Sequence, residues 1–119
     1  MSAATCLDTS AAAVITGGAS GFGLEMGRRC AAAGMRVALL DVSGEEQMAA
    51  AAAELRALNV GTARVVTLSC DVGSWDACVA AADAVDAAFG TGSVGFVFNN
   101  AGIAGVSGFS GGLLNSTPS

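Results

Sequence analysis

The sequence predicts an α/β fold built on a mostly parallel sheet, and three observations carry that reading. Short apolar runs alternate with longer stretches of helical character along most of the chain. The first run stops abruptly at a cluster of glycines, and the second at an isolated carboxylate, Asp41. With 119 residues, of which 53% are hydrophobic, there is enough chain for one real core and no more than one domain.

Each element has its own warrant. Residues 11–15 form an apolar run ending at Thr16-Gly17, the pattern of a strand buried on both faces and halted by a turn. From about Phe22 to Ala33, Leu24, Gly27 and Ala31 recur at helical spacing, and Gly34 supplies the stop. Residues 37–40 make the second strand, with Asp41 at its C-terminal tip. The alanine-rich stretch from Glu45 to Leu58 opens on acids and carries Arg56 near its end, as a helix dipole favours. Branched residues over 62–69 predict the third strand, Cys70-Asp71-Val72-Gly73 a turn, and Ser74 the N-cap of the next helix. In that helix Trp75, Val79, Ala82, Val85 and Phe89 fall on one apolar stripe, expected to be buried, and Gly90 ends it. Residues 94–98 complete the strands.

Right-handed crossovers then give strand order 3-2-1-4, with the first two helices on one face and the third on the other. This is a Rossmann-type sheet, incomplete at about four strands, whose fourth strand has an open edge and an apolar flank. Residues 1–10 read as an N-terminal extension and 11–102 as a Rossmann half-domain. Residues 103–119 are rich in glycine and serine without a sustained period, and are expected to be disordered.

Composition excludes several function classes. The net charge is −5, and the basic residues Arg28, Arg29, Arg36, Arg56 and Arg64 are scattered, which leaves no footprint for a nucleic-acid backbone. No apolar run approaches the ~20 residues of a membrane span. The first ten residues carry Asp8 and no positive charge, which argues against a leader peptide and for the cytoplasm. Cys6, Cys30, Cys70 and Cys78 show no C-x-x-C spacing, and the chain has no histidine, so they read as small buried residues rather than as a metal or disulfide framework.

The glycine cluster carries the chemistry. Gly17, Gly21 and Gly23 form G-x-x-x-G-x-G directly after a strand and at the start of a helix. Glycine there permits a tight turn and close backbone approach to a pyrophosphate, whose charge the helix N-terminus favours. Asp41, 18 residues beyond Gly23, is placed to accept hydrogen bonds from both hydroxyls of an adenosine ribose. A 2′-phosphate beside it would be repelled by about 4 kcal/mol at 4 Å and an effective dielectric of 20, less with screening. With no basic residue at Ser20 or Val42, NAD is expected in preference to NADP.

These residues also support a family resemblance. Thr16-Gly17-Gly18-Ala19-Ser20-Gly21-Phe22-Gly23 resembles the T-G-x-x-x-G-x-G motif of the classical short-chain dehydrogenase/reductase family. Cys70-Asp71-Val72 looks like its D-V element, and Asn99-Asn100-Ala101-Gly102 matches its N-N-A-G; the resemblance covers about Ala12 to Val106. It implies hydride transfer between a nicotinamide cofactor and a small alcohol or carbonyl substrate. By the same implication, Thr16, Gly17, Ser20, Gly21, Phe22 and Gly23 surround the pyrophosphate, and Asp41 holds the ribose. Asp71 meets the amino group of adenine with the Val72 backbone beside it, and Asn99, Ala101 and Gly102 stand next to ribose and adenine.

The family is similar throughout in using a tyrosine and a lysine in a Y-x-x-x-K segment, with a serine and a further asparagine. This chain has no tyrosine and no lysine, and Ser107, Ser110, Asn115 and Ser116 do not match the family's spacing. No catalytic residue is therefore assigned, and negligible turnover is expected from this chain alone. The change of composition after Asn99 reads as a truncated, alternatively spliced or mis-predicted product of a longer dehydrogenase gene. A non-catalytic dinucleotide-binding module, or a partner of a full-length relative, is the alternative. A methyltransferase or flavin-binding domain is disfavoured, because N-N-A-G has no role there. Substrate identity and oligomeric state do not follow from the sequence.

Overall fold

A computed structural model describes residues 10–58 and 64–100. The expected N-terminal extension apart from Ser10, the expected tail, and the two site candidates Ala101 and Gly102 lie outside the described residues. In chain order the elements are β1 (Ala12–Thr16), α1 (Gly21–Ala32), β2 (Arg36–Asp41), α2 (Glu45–Arg56), β3 (Val65–Ser69), α3 (Trp75–Phe89) and β4 (Val94–Asn99). The four strands are all parallel in the order β3-β2-β1-β4, as the crossover rule requires.

Helices pack on both faces of the sheet, and this is why the strands are apolar on successive residues rather than on alternate ones. On one face Ala13, Ile15, Val37 and Leu39 meet Cys30 and Ala31 of α1 and Ala51, Ala52 and Leu55 of α2. On the other, Ala12, Ala38 and Leu40 meet Ala81, Val85 and Phe89 of α3. The strand tips align at one end: Thr16 pairs with Leu40 and Asn99, and Asp41 with Ser69.

The predicted stripe on α3 requires correction. Val85 and Phe89 are buried, but Trp75 is 80% exposed, and Val79 and Ala82 are exposed as well. The helix instead turns Ala81, Val85 and Phe89 to the sheet. Its apolar residues run round more than one side, so two stripes about one residue step apart compete, and packing on the sheet selects the narrower. Side chains of Ala82, Val97 and Val72 are left along a groove between α3 and β4.

The lack of a basic residue in the last turn of α3 is made good from elsewhere. Arg36 of β2 donates to Phe89 O at 2.8 Å and lies over the Phe89 ring, 5.5 Å from its centroid, and Arg64 donates to Ala88 O. Strand β4 is irregular at its start. Ala12 pairs with Val94 and Ala13 with Phe96, so Gly95 is an extra residue that inverts the facing of the strand. Val94, Val97 and Asn99 consequently line the α3 side, whereas Phe96 and Phe98 pack against the α1 and α2 core.

Candidate functional site

At the C-terminal end of β1 the chain enters the glycine loop through Gly17, whose φ is +66°, and leaves it at Gly21, with φ +59°. These are backbone states that glycine adopts without cost from a Cβ. The N–H groups of Gly17 and Gly18 both donate to Leu40 O, at 2.7 and 3.3 Å, which ties the loop to β2. Gly23 is required for a different reason: a Cβ there would lie 2.1 Å from Gly17 O, inside any contact distance. The first turn of α1 therefore packs directly on the loop backbone.

The three helix N-termini differ. Helix α2 begins with Glu45 and Glu46, and α3 has Asp76 in its first turn and the Ser74 hydroxyl accepting from Ala77 N at 3.1 Å. Helix α1 has no acid in its first turn, and its N-cap Ser20 makes no side-chain capping bond. The first-turn N–H groups of a helix have no intrahelical partner, so this end carries unneutralised positive potential beside the glycine loop. Phe22 stands 80% exposed at that end.

Asp41 joins the same cluster. Its Oδ2 accepts from Ala19 N at 3.0 Å, and its Oδ1 from Val42 N, Ser43 N and Ser43 Oγ at 2.7, 3.3 and 3.2 Å. The carboxylate is thus fixed in rotamer and linked to the middle of the glycine loop. Asp71, at the end of β3, orders its own turn: Oδ1 accepts from Gly73 N at 2.9 Å, and its carbonyl accepts from Ser74 N at 2.9 Å. Val72 next to it is 40% exposed.

From β4 the structure brings in Asn100, which was not among the predicted site residues. Its N–H donates to Thr16 Oγ1 at 2.9 Å and its Nδ2 to Gly17 O at 3.3 Å, while Thr16 Oγ1 donates to Phe98 O at 3.4 Å. Asn99, which was predicted, faces the α3 side and lines the groove there. The doubled asparagine marked the place, but only the bulge at Gly95 decides which one reaches the loop. Thr16, Gly17, Ser20, Gly21, Phe22 and Gly23 are gathered at one edge with Asp41, and Asp71 and Val72 stand at the tip of the outer strand β3.

A second juxtaposition has no counterpart in the sequence reading. Cys70 and Cys78, separated by seven residues, lie side by side in the cluster beneath α3. Burial pushes the Cys70 thiol up, with the neighbouring Cys78 adding to the effect, and burial likewise raises Cys30. Cys30, Cys70 and Cys78 are free thiols, and no group of three metal-ligating side chains occurs among the described residues.

A parallel sheet in the order 3-2-1-4, with a glycine loop, an uncapped helix and an acid at the strand tips, defines a Rossmann-type α/β domain. The chain belongs to the short-chain dehydrogenase family, whose model matches residues 11–114. It is 40% identical over 93 residues to an uncharacterised short-chain type dehydrogenase/reductase of Sinorhizobium fredii, covering 76% of this chain and 35% of that protein. Among solved structures, a short-chain dehydrogenase/reductase from Sinorhizobium meliloti superposes with a TM-score of 0.70 at 35% identity, over 81% of this chain and 42% of that one. An NAD+-bound xylitol dehydrogenase matches with a TM-score of 0.68 at 30% identity, over 77% of this chain and 33% of the other. The chain thus spans about a third of the length of the curated relatives it matches. No helix among the described residues is long and apolar enough to cross a membrane.

Proposed function

We propose that this chain is the cofactor-binding part of an oxidoreductase that moves hydride between a nicotinamide cofactor and a small alcohol or carbonyl compound, and that it takes NAD in preference to NADP. The observation that carries the reading is the contrast at the helix N-termini. Among the helices of the described residues, α1 alone lacks both an acid in its first turn and a side-chain capping bond, and it is the one packed on the glycine loop. A pyrophosphate fits that end because it supplies the charge and acceptors the first turn lacks.

The residues divide the work. Gly17, Gly21 and Gly23 let backbone approach the diphosphate, with Thr16 and Asn100 holding the loop against β4. Ser20 and Phe22 line the approach from the exposed start of α1. Asp41, fixed by Ala19 N and Ser43, offers its carboxylate to the adenosine ribose and disfavours a 2′-phosphate there. Asp71 and the Val72 backbone hold the adenine, with Asn99 assigned to the same ribose and adenine end; the family resemblance adds Ala101 and Gly102, which lie outside the described residues. NAD when bound would supply the hydride acceptor, and no residue of this chain is assigned to the proton transfer.

A calorimetric titration of the 119-residue chain with NAD and with NADP tests this. NAD should bind at least about tenfold more tightly, a difference of about 1.4 kcal/mol, and Asp41→Ala should remove the preference. Absence of heat with millimolar NAD, or equal binding of the two cofactors, overturns it. The alternative, a non-catalytic dinucleotide-binding module, predicts NAD binding without turnover of any alcohol.

A further inference from the structure

Cys70 follows the last residue of β3, and Cys78 lies in the first turn of α3. Their side chains belong to one apolar cluster and line the same groove between α3 and the sheet. Cys78 Sγ also donates to Val72 O at 3.7 Å. The segment between them is the turn that holds Asp71 and Val72, cross-braced by Gly73 N to Asp71 Oδ1 and Ser74 N to Asp71 O. A covalent change at this thiol pair is therefore a change at the turn itself.

We propose that Cys70 and Cys78 are a peroxide-responsive pair that closes to a disulfide and thereby lowers nucleotide affinity through the Asp71-Val72 turn. The second half rests on the reading that this turn holds adenine; the first half does not.

The two sulfurs differ in access, and that sets the order of events. Cys78 is partly exposed, whereas Cys70 is 4% exposed. Hydrogen peroxide meets the Cys78 sulfur, its O–O bond breaks, and a sulfenic acid and one water form. Cys70 sulfur then attacks Cys78 sulfur: the S–S bond forms, the S–O bond breaks, and hydroxide leaves with the Cys70 proton as a second water. Two thiols have lost two electrons and two protons, and peroxide has been reduced to two waters. The second step is internal, so burial does not deny the Cys70 sulfur access to its partner; because burial raises the Cys70 thiol, this attack is the slower of the two steps.

The bond alters the turn in two ways. A disulfide holds the two sulfurs at about 2.05 Å, tying the first turn of α3 to the end of β3. It also abolishes the Cys78 S–H, so Val72 O loses its donor. Both displace the backbone beside Asp71. Cys30 is fully buried under α1 and serves as an internal control that should stay reduced.

The test uses the full chain carrying Cys6→Ser, so that a thiol outside the described residues cannot compete. After one equivalent of hydrogen peroxide, non-reducing peptide mass mapping should show Cys70 and Cys78 in one cross-linked species lacking two hydrogens. Titration with NAD should show affinity reduced about fivefold or more on oxidation and restored by dithiothreitol. Cys78→Ser and, independently, Cys70→Ala should abolish both responses, and either suffices if the other fails to fold. Sulfinic acid at Cys78 without a cross-link, or only intermolecular disulfides, overturns the pair. A cross-link with unchanged NAD affinity overturns the regulation. A cross-link in a chain whose reduced form binds no NAD removes the cofactor reading and the regulation together, and leaves the disulfide standing.

Discussion

The two faces of the sheet are built from the same strands, yet one is closed and the other is half open. Under α1 and α2 the side chains of Ile15, Met35, Leu39 and Leu55 are all less than 2% exposed. On the α3 side the strand residues Val14, Val66, Leu68 and Val94 are only partly buried, and a groove of about 450 Å³ runs between α3 and β4. Val97 at its edge is 55% exposed. One helix covers less than one face of four strands, so the apolar contacts that stabilise these residues are concentrated on the α1 and α2 side.

The largest predicted effect tests that imbalance. Leu55→Ala should cost about 2–5 kcal/mol in a denaturant unfolding series, since a buried side chain is replaced by a cavity. Val97→Ser on the open side should fall within about 0.5 kcal/mol of the unaltered chain. A cost at Val97 equal to that at Leu55 would mean that the groove is covered in solution, and the contrast between faces would fail.

The glycine loop sits on the closed side, and the next effect in size belongs to it. Gly23→Ala places a methyl group 2.1 Å from Gly17 O, so the loop or the start of α1 has to move. A loss of about 1–3 kcal/mol is expected from overpacking. NAD binding should vanish from the calorimetric titration, whereas Leu55→Ala, measured where the chain is still folded, should retain it. Retained affinity in Gly23→Ala would show that the close approach of loop and helix is not what holds the cofactor.

These contrasts also explain what the sequence could and could not display. Strand order and the placement of Thr16, Asp41 and Asp71 at strand tips were legible, because each depends on local pattern and on a handedness rule. Three features were not. The side of α3 that meets the sheet is ambiguous in a helix reading WDACVAAADAVDAAF, where alanine and valine lie all round. The bulge at Gly95 depends on pairing with β1 and decides that Asn100, rather than Asn99, reaches the loop. The meeting of Cys70 and Cys78 depends on how α3 docks, which their spacing alone does not specify. In each case a tertiary contact selects among local states of similar energy.

A smaller effect concerns how α3 is attached to the open face. Arg36 donates to Phe89 O and to Ser10 O, at 2.8 and 2.7 Å, besides covering the Phe89 ring. Arg36→Met keeps much of the stem and removes the donors, so thermal unfolding should show a loss of about 1–2 kcal/mol, the size of a charged hydrogen bond to a carbonyl. Hydrogen exchange should quicken in the last turn of α3 and remain unchanged in α2. Equal quickening in both helices would mean that the two faces unfold as one unit, rather than the α3 side opening first.

The smallest effect separates the two serine N-caps. Ser74 Oγ accepts from Ala77 N, so Ser74→Ala should lower stability by about 1 kcal/mol. Ser20 occupies the same position on α1 in an extended conformation but makes no side-chain capping bond. Ser20→Ala should therefore change the stability of the free chain by less than about 0.5 kcal/mol in the same denaturant series. Saturating NAD should raise the unfolding midpoint of the Ser74→Ala chain by as much as that of the unaltered chain, because the α3 cap and the α1 terminus do not share a ligand. If Ser20→Ala costs as much as Ser74→Ala without cofactor, the α1 terminus is already satisfied from within. The charge contrast between the helix ends would then no longer favour an anion at the glycine loop.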